Sequence, residues 1–105
     1  MPDNTPWKID FFDEEIKTEY EIYFKKHSDQ KSVKMSFEKD VTINPYYHPK
    51  PKRIIPLKGK YKGQYRYKKS DTRIIYQPDS ATQKIYPLET GTATNISYKV
   101  KSKKK

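Results

Sequence analysis

The scarcity of aliphatic side chains is the feature that most limits what this sequence can fold into. Leucine, isoleucine, valine and phenylalanine make up 19 of the 105 residues, or about 18%, and this is just below the level at which a chain is expected to remain disordered. Ten tyrosines offset the shortage, because each ring supplies a large apolar area with a polar tip. The composition therefore predicts one small folded domain with a thin, tyrosine-rich core.

The charge is distributed unevenly along the chain. Residues 1–29 carry eight acids and four bases, whereas residues 50–73 carry ten bases and one acid. Five of the seven residues from 99 to 105 are lysines. A basic block of this size attracts polyanions by electrostatic steering and by counterion release. We therefore expect a nucleic acid as a partner.

Several classes of site and of location are disfavoured by the residues that the sequence lacks. There is no cysteine, and His27 and His48 have no metal-ligand spacing, so we expect no disulfide and no metal site. No apolar run approaches the roughly 20 residues of a membrane span, and residues 1–6 do not resemble a signal peptide. A cytoplasmic, bacterial-type protein without a membrane partner is the simplest interpretation.

The N-terminal half predicts a short strand followed by two helices. Trp7 to Phe11 alternates apolar and polar residues, as a half-buried strand does. Asp13 is placed to cap a helix, in which apolar and aromatic residues recur at helical spacing at positions 16, 20, 23 and 27. Gln30 to Asn44 fits either period, and we choose a helix that ends before Pro45. Pro45 to Pro56, with four prolines, predicts an extended connector.

The C-terminal half predicts a meander of three antiparallel strands, which span Gln64–Lys69, Arg73–Gln77 and Gln83–Leu88. Turn residues separate them at 69–72 and 78–80, and the tyrosines at 65, 67, 76 and 86 are expected in the core. Two helices followed by such strands predict an α+β fold, with two N-terminal helices packed on a small antiparallel sheet. We expect one domain over residues 1–98 and a disordered lysine-rich tail over 99–105.

Two neighbouring segments carry a more specific signal. Pro56 to Tyr67 reads PLKGKYKGQYRY, and Asp71 to Tyr76 reads DTRIIY. In the C-terminal half of RelE/ParE-superfamily toxins, an L-K-G segment leads into a Y-R-Y-type strand and a D-x-R-I-I-Y strand follows. The sequence resembles that superfamily, and its RelE-like members in particular. The resemblance implies two helices on a small antiparallel sheet and a cognate acidic antitoxin as partner.

The resemblance also implies an activity and the residues that perform it. RelE-type members cut mRNA on the ribosome without a metal, by attack of the RNA 2′-hydroxyl on the adjacent phosphate. By this resemblance Arg73 holds the scissile phosphate, and Arg66 and Lys68 supply the two basic positions of the preceding strand. Tyr98 matches a tyrosine that stacks on the nucleotide or hydrogen-bonds to it. We expect neither a cofactor nor a small-molecule substrate.

One departure from the superfamily pattern leaves the function open. Members usually carry a basic residue two positions after a glycine that follows the last strand, whereas this chain has Gly91 and then Ala93. The loss implies a weakened nuclease, or it favours a ParE-like toxin that inhibits DNA gyrase by binding. A plain RNA-binding module is a third alternative, supported by the charge and the tyrosines alone.

Two further titratable residues are weaker candidates. Glu89 lies near the end of the third predicted strand and could act as a general base, although exposed acids are common at strand ends. His48, between Tyr47 and Pro49, is expected to be part of the connector.

Overall fold

The computed structural model describes residues 6–96, so Tyr98 and the predicted tail lie outside the described residues. Two helices occupy the first half of the chain, α1 (Glu14–Lys26) and α2 (Lys31–Ile43). The described strands are β1 (Lys8–Ile9), β2 (Ile54–Pro56), β3 (Tyr65–Lys69), β4 (Thr72–Asp79) and β5 (Lys84–Thr92). Single 3₁₀ turns lie at Ser28–Gln30 and Gly59–Tyr61.

Helix α1 begins at the predicted cap. The Asp13 carboxylate accepts a hydrogen bond from the Ile16 backbone N–H at 2.8 Å, which satisfies one of the free donors of the first turn. Acids occupy that first turn and lysines the last, as the helix dipole favours. The buried face of α1 consists of Ile16, Tyr20, Tyr23 and Phe24.

Helix α2 confirms the helical prediction for the segment that fitted both periods. Val33, Phe37 and Val41 are buried at intervals of four residues, so the helical period and not the alternation places this segment against the sheet. The helix ends where Asn44 turns to an extended conformation ahead of Pro45, as expected for a residue that precedes proline.

The sheet is mixed, which corrects part of the predicted architecture. Its strand order is β1-β5-β4-β3-β2, and β1 pairs in parallel with β5 while the other neighbours are antiparallel. The α+β class is confirmed. β1 lies within the strand predicted at residues 7–11, so the helices are not the first elements of the chain, and its parallel pairing means that the sheet is not purely antiparallel. The long connection from β1 through both helices allows this first strand to lie parallel to the last one.

The strand bounds also differ from the prediction at two prolines, Pro56 and Pro78. β2 lies inside the predicted connector, and its Pro56 is tolerated because β2 is an edge strand. β4 runs through Pro78, which was assigned to a turn, whereas β5 runs through Pro87 as predicted and continues past Leu88 to Thr92. The pairing of β4 with β5 shifts register between Ile75 and Tyr76, and such a bulge accommodates Pro87, the direct partner of Tyr76.

Both faces of the sheet are partly apolar. The main core lies between the sheet and the helices and includes Tyr67 and Tyr76, both fully buried. A smaller cluster on the opposite face contains Ile75, Tyr86 and Leu88. The predicted tyrosine core is therefore divided between the two faces. Neither helix in residues 6–96 is long and apolar enough to cross a membrane.

Candidate functional site

The strand register places the predicted cations on one face of the sheet. Lys68 is the direct partner of Arg73, and Arg73 is the direct partner of Gly91. Direct partners share a face, and Tyr67 between Arg66 and Lys68 packs against the helices. By alternation, Arg66, Lys68 and Arg73 therefore lie on the face turned away from the helices. We name the row formed by Lys68, Arg73 and Gly91 the terminal row.

Arg73 lies half-buried at the start of β4, beside the turn that joins β3 to β4. Its Nη1 donates hydrogen bonds to the carbonyl oxygens of Ser70, at 3.0 Å, and Thr72, at 3.1 Å. Among residues 6–96 it forms no salt bridge with a carboxylate. The guanidinium is thus held by neutral carbonyl groups, which fix its orientation without neutralising its charge.

A buried polar network holds the turn that positions Arg73. The Thr72 hydroxyl, which is fully buried, donates to the Gln30 Oε1 at 2.8 Å and lies 3.0 Å from the Tyr23 hydroxyl. Gln30 Nε2 in turn donates to the Ser70 hydroxyl at 3.4 Å. Burial raises the pKa of the Tyr23 phenol, opposed in part by its hydrogen bond to Thr72. Helix α1 and the 3₁₀ turn after it are thereby joined to the β3–β4 turn.

The other cations of β3 divide between the faces. Arg66 is half-buried in the row behind the terminal row, with Ile75 as its direct partner. Its Nε is buried and makes no hydrogen bond within residues 6–96. Lys69 points to the helix side, where its Nζ donates to the Ser36 hydroxyl at 2.7 Å. Arg66 and Lys68 are therefore the β3 cations available on the face of Arg73.

The structure explains the glycine that precedes the missing cation. A Cβ on Gly91 would lie 3.2 Å from the Ile96 Cα, because the Thr92 carbonyl accepts from the N–H of Ile96 and folds the chain back. Ala93 follows at the end of the sheet, where it is exposed and donates its N–H to the Asp71 carbonyl at 3.1 Å. Ala93 is thus a turn residue just past the last residue of β5.

The remaining candidates lie elsewhere. Glu89 pairs with Ile75 in the row of Arg66, one row away from Arg73. His48 is in the connector, as predicted, and its Nε2 lies 3.3 Å from an Asp40 oxygen on the helix side. Within the part of the chain that is described, no three His, Asp or Glu side chains come together as a metal site requires. Tyr98 lies outside the described residues, so its predicted contact with the nucleotide stays a prediction.

Sequence reasoning missed the network of Gln30, Thr72 and Tyr23, and it also missed a group of cations around Lys52 at the start of β2. Neither has a local signature: the network joins residues 42 and 49 positions apart, and the lysines are part of a long basic run. Only the predicted turn at 69–72 indicated where these groups would meet.

Comparison with known proteins supports the fold. No protein-family model matches the sequence, and no curated protein matches it in sequence. Among solved structures, it is similar to a chain of the toxin–antitoxin complex RelBE2 from Mycobacterium tuberculosis, with a TM-score of 0.63 and 13% identity. The match covers 90% of this chain and 100% of that one. The two chains share a fold, and this confirms at the level of the fold what the sequence resemblance implied.

Proposed function

We propose that this protein is the toxin of a toxin–antitoxin pair and that it cleaves mRNA bound to the ribosome in the cytoplasm. The observation that carries the proposal is the terminal row, in which Lys68 and Arg73 are direct partners on the face of the sheet turned away from the helices. The fold shared with a chain of a toxin–antitoxin complex supports the class of protein. The basic block at 50–73 supports a polyanionic substrate.

The proposed reaction needs a proton acceptor, a proton donor and charge stabilisation, and the residues of the cationic face are proposed for the last of these. The 2′-oxygen forms a bond to the adjacent phosphorus as its proton passes to solvent water, and the bond from phosphorus to the 5′-oxygen breaks as that oxygen takes a proton from solvent water. The products are a 2′,3′-cyclic phosphate and a 5′-hydroxyl. Because negative charge grows on the phosphorane oxygens, fixed cations beside them lower the barrier.

Arg73 is the group proposed to hold the scissile phosphate. Its two hydrogen bonds involve Nη1, so Nη2 and Nε can form a planar fork toward two phosphate oxygens. Lys68, beside it in the terminal row, adds a second charge, and Arg66 contributes from the row behind. Tyr98 is proposed to stack on the nucleotide or hydrogen-bond to it. Neither a metal nor a cofactor has a role in this scheme.

The antitoxin is proposed to be acidic and to cover the cationic face. A partner of opposite charge would associate rapidly with residues 50–73, whose formal charge is +9. The antitoxin would also compete with RNA for Lys68 and Arg73. It would thereby inhibit cleavage of the message without a separate regulatory site.

A second function is favoured by Ala93. At the position where the superfamily pattern places a cation, this chain has an exposed methyl group beside Asp71. A toxin that inhibits DNA gyrase by binding needs no group there to protonate a leaving oxygen or to stabilise a phosphorane. This ParE-like alternative uses the same fold, so an assay must decide between the two.

The test compares two activities of the purified chain. One reaction contains ribosomes stalled on a message, and cleavage is mapped by primer extension; the other contains gyrase and relaxed plasmid. We expect cleavage with a cyclic phosphate end and unchanged supercoiling. Intact message together with blocked supercoiling would establish the gyrase-binding alternative, and no effect in either reaction would reject both.

A further inference from the structure

A second group of cations lies beside the terminal row, at the end of the sheet where the chain enters β2 and leaves β3. It surrounds an open cavity of about 140 Å³, lined by Pro51, Lys52, Arg53, Lys68, Lys69 and Ser70. Four of these six residues are cationic and none is acidic. The volume corresponds to roughly four or five water molecules, which is sufficient for a phosphate group with its four oxygens. We name this cavity the corner pocket.

Backbone and side-chain contacts hold the cations of the corner pocket in place. The Arg53 carbonyl accepts from the Lys68 N–H at 2.8 Å, which extends the pairing of β2 with β3. The Arg53 guanidinium lies over the Tyr67 ring at 5.8 Å, and Lys69 is tied to Ser36. Two of the four cations, Arg53 and Lys69, are therefore held in place before an anion binds, which reduces the entropy lost on binding.

Lys52 adopts an unusual backbone conformation for its residue type. Its φ of +65° is in the left-handed region, where asparagine and glycine are favoured and a lysine is uncommon. Its side chain is exposed and lines the corner pocket. This backbone conformation decides which substitution is tolerated at position 52, and asparagine is among the residues that adopt it readily.

The corner pocket is continuous with the terminal row. Lys68 belongs to both, and the Ser70 carbonyl beside the pocket accepts the hydrogen bond of Arg73. The pocket lies by β2 and β3, and its Lys69 and Arg53 side chains are on the helix side of the sheet, whereas Arg73 lies on β4 and on the opposite face. The path between them therefore passes around the end of the sheet at Lys68 and Ser70 and is longer than two strand spacings, or roughly 10 Å. A single strand of RNA with one phosphate at Arg73 would place a phosphate further along its backbone in the pocket.

We propose that the corner pocket is a second phosphate subsite, which binds the backbone of a nucleotide flanking the one at Arg73. This inference rests on the proposed function, because it extends the same RNA path around the end of the sheet. Lys52 and Lys69 supply charge to the flanking phosphate, and Lys68 lies between the two phosphates. The subsite recognises the sugar–phosphate backbone and is therefore indifferent to base identity.

The experiment measures binding of two 2′-O-methyl RNAs to the full chain by fluorescence anisotropy over a range of salt concentrations. One RNA is a dinucleotide with a single phosphate, and the other has about eight nucleotides, within the site sizes of single-strand binders. The test variant is Lys52→Asn with Lys69→Gln, since asparagine suits the left-handed backbone and glutamine can still donate to Ser36. The control is Lys17→Gln with Lys39→Gln, which removes the same charge from exposed helix positions.

We expect the test variant to bind the longer RNA about fivefold more weakly than the control does. The slope of the logarithm of the binding constant against the logarithm of the salt concentration should be less steep by about 0.7, the value for one lost phosphate contact on a single strand. Binding of the dinucleotide should change less than about twofold, because it reaches only Arg73. The subsite would be overturned if the test variant lost equal affinity for both RNAs, or if its loss were no larger than that of the control. It would also be overturned if the wild type did not bind the longer RNA at low salt.

Arg73→Ala separates this inference from the function on which it rests. If Arg73→Ala weakens both RNAs while the Lys52 and Lys69 variant weakens neither, the corner pocket is refuted and the site at Arg73 stands. If Arg73→Ala changes neither affinity while the Lys52 and Lys69 variant still weakens the longer RNA, the pocket binds RNA and the proposed role of Arg73 fails.

Discussion

Replacing Thr72 by valine tests whether the buried network holds the turn that carries Arg73. The substitution conserves volume and exchanges the hydroxyl for a methyl group, so the shape of the core is retained. What it removes are the contacts to Gln30, at 2.8 Å, and to Tyr23, at 3.0 Å.

The magnitude follows from the burial of all three side chains. Thr72 is 0% exposed, and Tyr23 and Gln30 are each 8% exposed, so water cannot readily replace the lost hydroxyl. A buried polar group left without its partner costs about 1–3 kcal/mol, and burying the new methyl group returns somewhat less than 1 kcal/mol. We expect Thr72→Val to lower the free energy of unfolding by about 2 kcal/mol. Thr72→Ser retains the hydroxyl and should lose only about 1 kcal/mol.

Urea unfolding followed by circular dichroism measures the effect. The midpoint should fall by about 1 M with an unchanged slope, and adding Gln30→Leu to Thr72→Val should cost less than the two single changes combined. The reasoning is refuted if Thr72→Val unfolds within about 0.5 kcal/mol of the wild type, or if Thr72→Ser is destabilised as much as Thr72→Val.

Three further predictions concern pH, packing and catalysis. Burial raises the pKa of three core phenols, Tyr20, Tyr67 and Tyr76. These phenols ionise near pH 10 in the unfolded chain but stay protonated in the folded one. The free energy of unfolding should therefore fall above about pH 10, by up to roughly 4 kcal/mol per pH unit, and the urea midpoint should fall with it. A midpoint that is constant through this range would contradict their burial. Gly91→Ala brings a Cβ to 3.2 Å from the Ile96 Cα and should lower stability by about 1 kcal/mol or more in urea unfolding, unlike Ala93→Gly, which touches no such contact. Ala93→Arg should raise single-turnover cleavage of ribosome-bound message by up to about 10²-fold, since a second cation near Arg73 would stabilise the phosphorane; an unchanged rate would place position 93 outside the pocket.

The elements with a clear hydrophobic period could be predicted from the sequence. The cap and face of α1 were visible in Asp13 and the spacing of its aromatic residues, and Pro45 gave the end of α2. β2 was missed because it has only three residues, one of them a proline, and because it is an edge strand that pairs on one side only, with β3. The parallel pairing of β1 with β5 was missed for the same reason, since two residues carry no directional signal.

The candidate site could be predicted in its residues but not in its arrangement. Alternation places Arg66 and Lys68 on one face, and the turn residues suggest that Arg73 follows on the next strand. The direct pairing of Lys68 with Arg73 depends on a register that only the folded hairpin defines. The charge of Lys52 was visible only as part of a basic run, because the cavity that it lines forms between separate segments.

The rate of message cleavage by Arg73→Ala tests the central claim most directly. The assay is single-turnover cleavage of ribosome-bound mRNA by wild type, Arg73→Ala, Arg73→Lys and the distant charge control Lys17→Gln. Loss of one preorganised donor to the transition state lowers the rate by about 10²–10³-fold, so Arg73→Ala should fall by that factor. Arg73→Lys should recover only part of the rate, because an ammonium cannot form the planar fork, and Lys17→Gln should match the wild type. Equal rates for wild type and Arg73→Ala would contradict the claim that Arg73 holds the scissile phosphate.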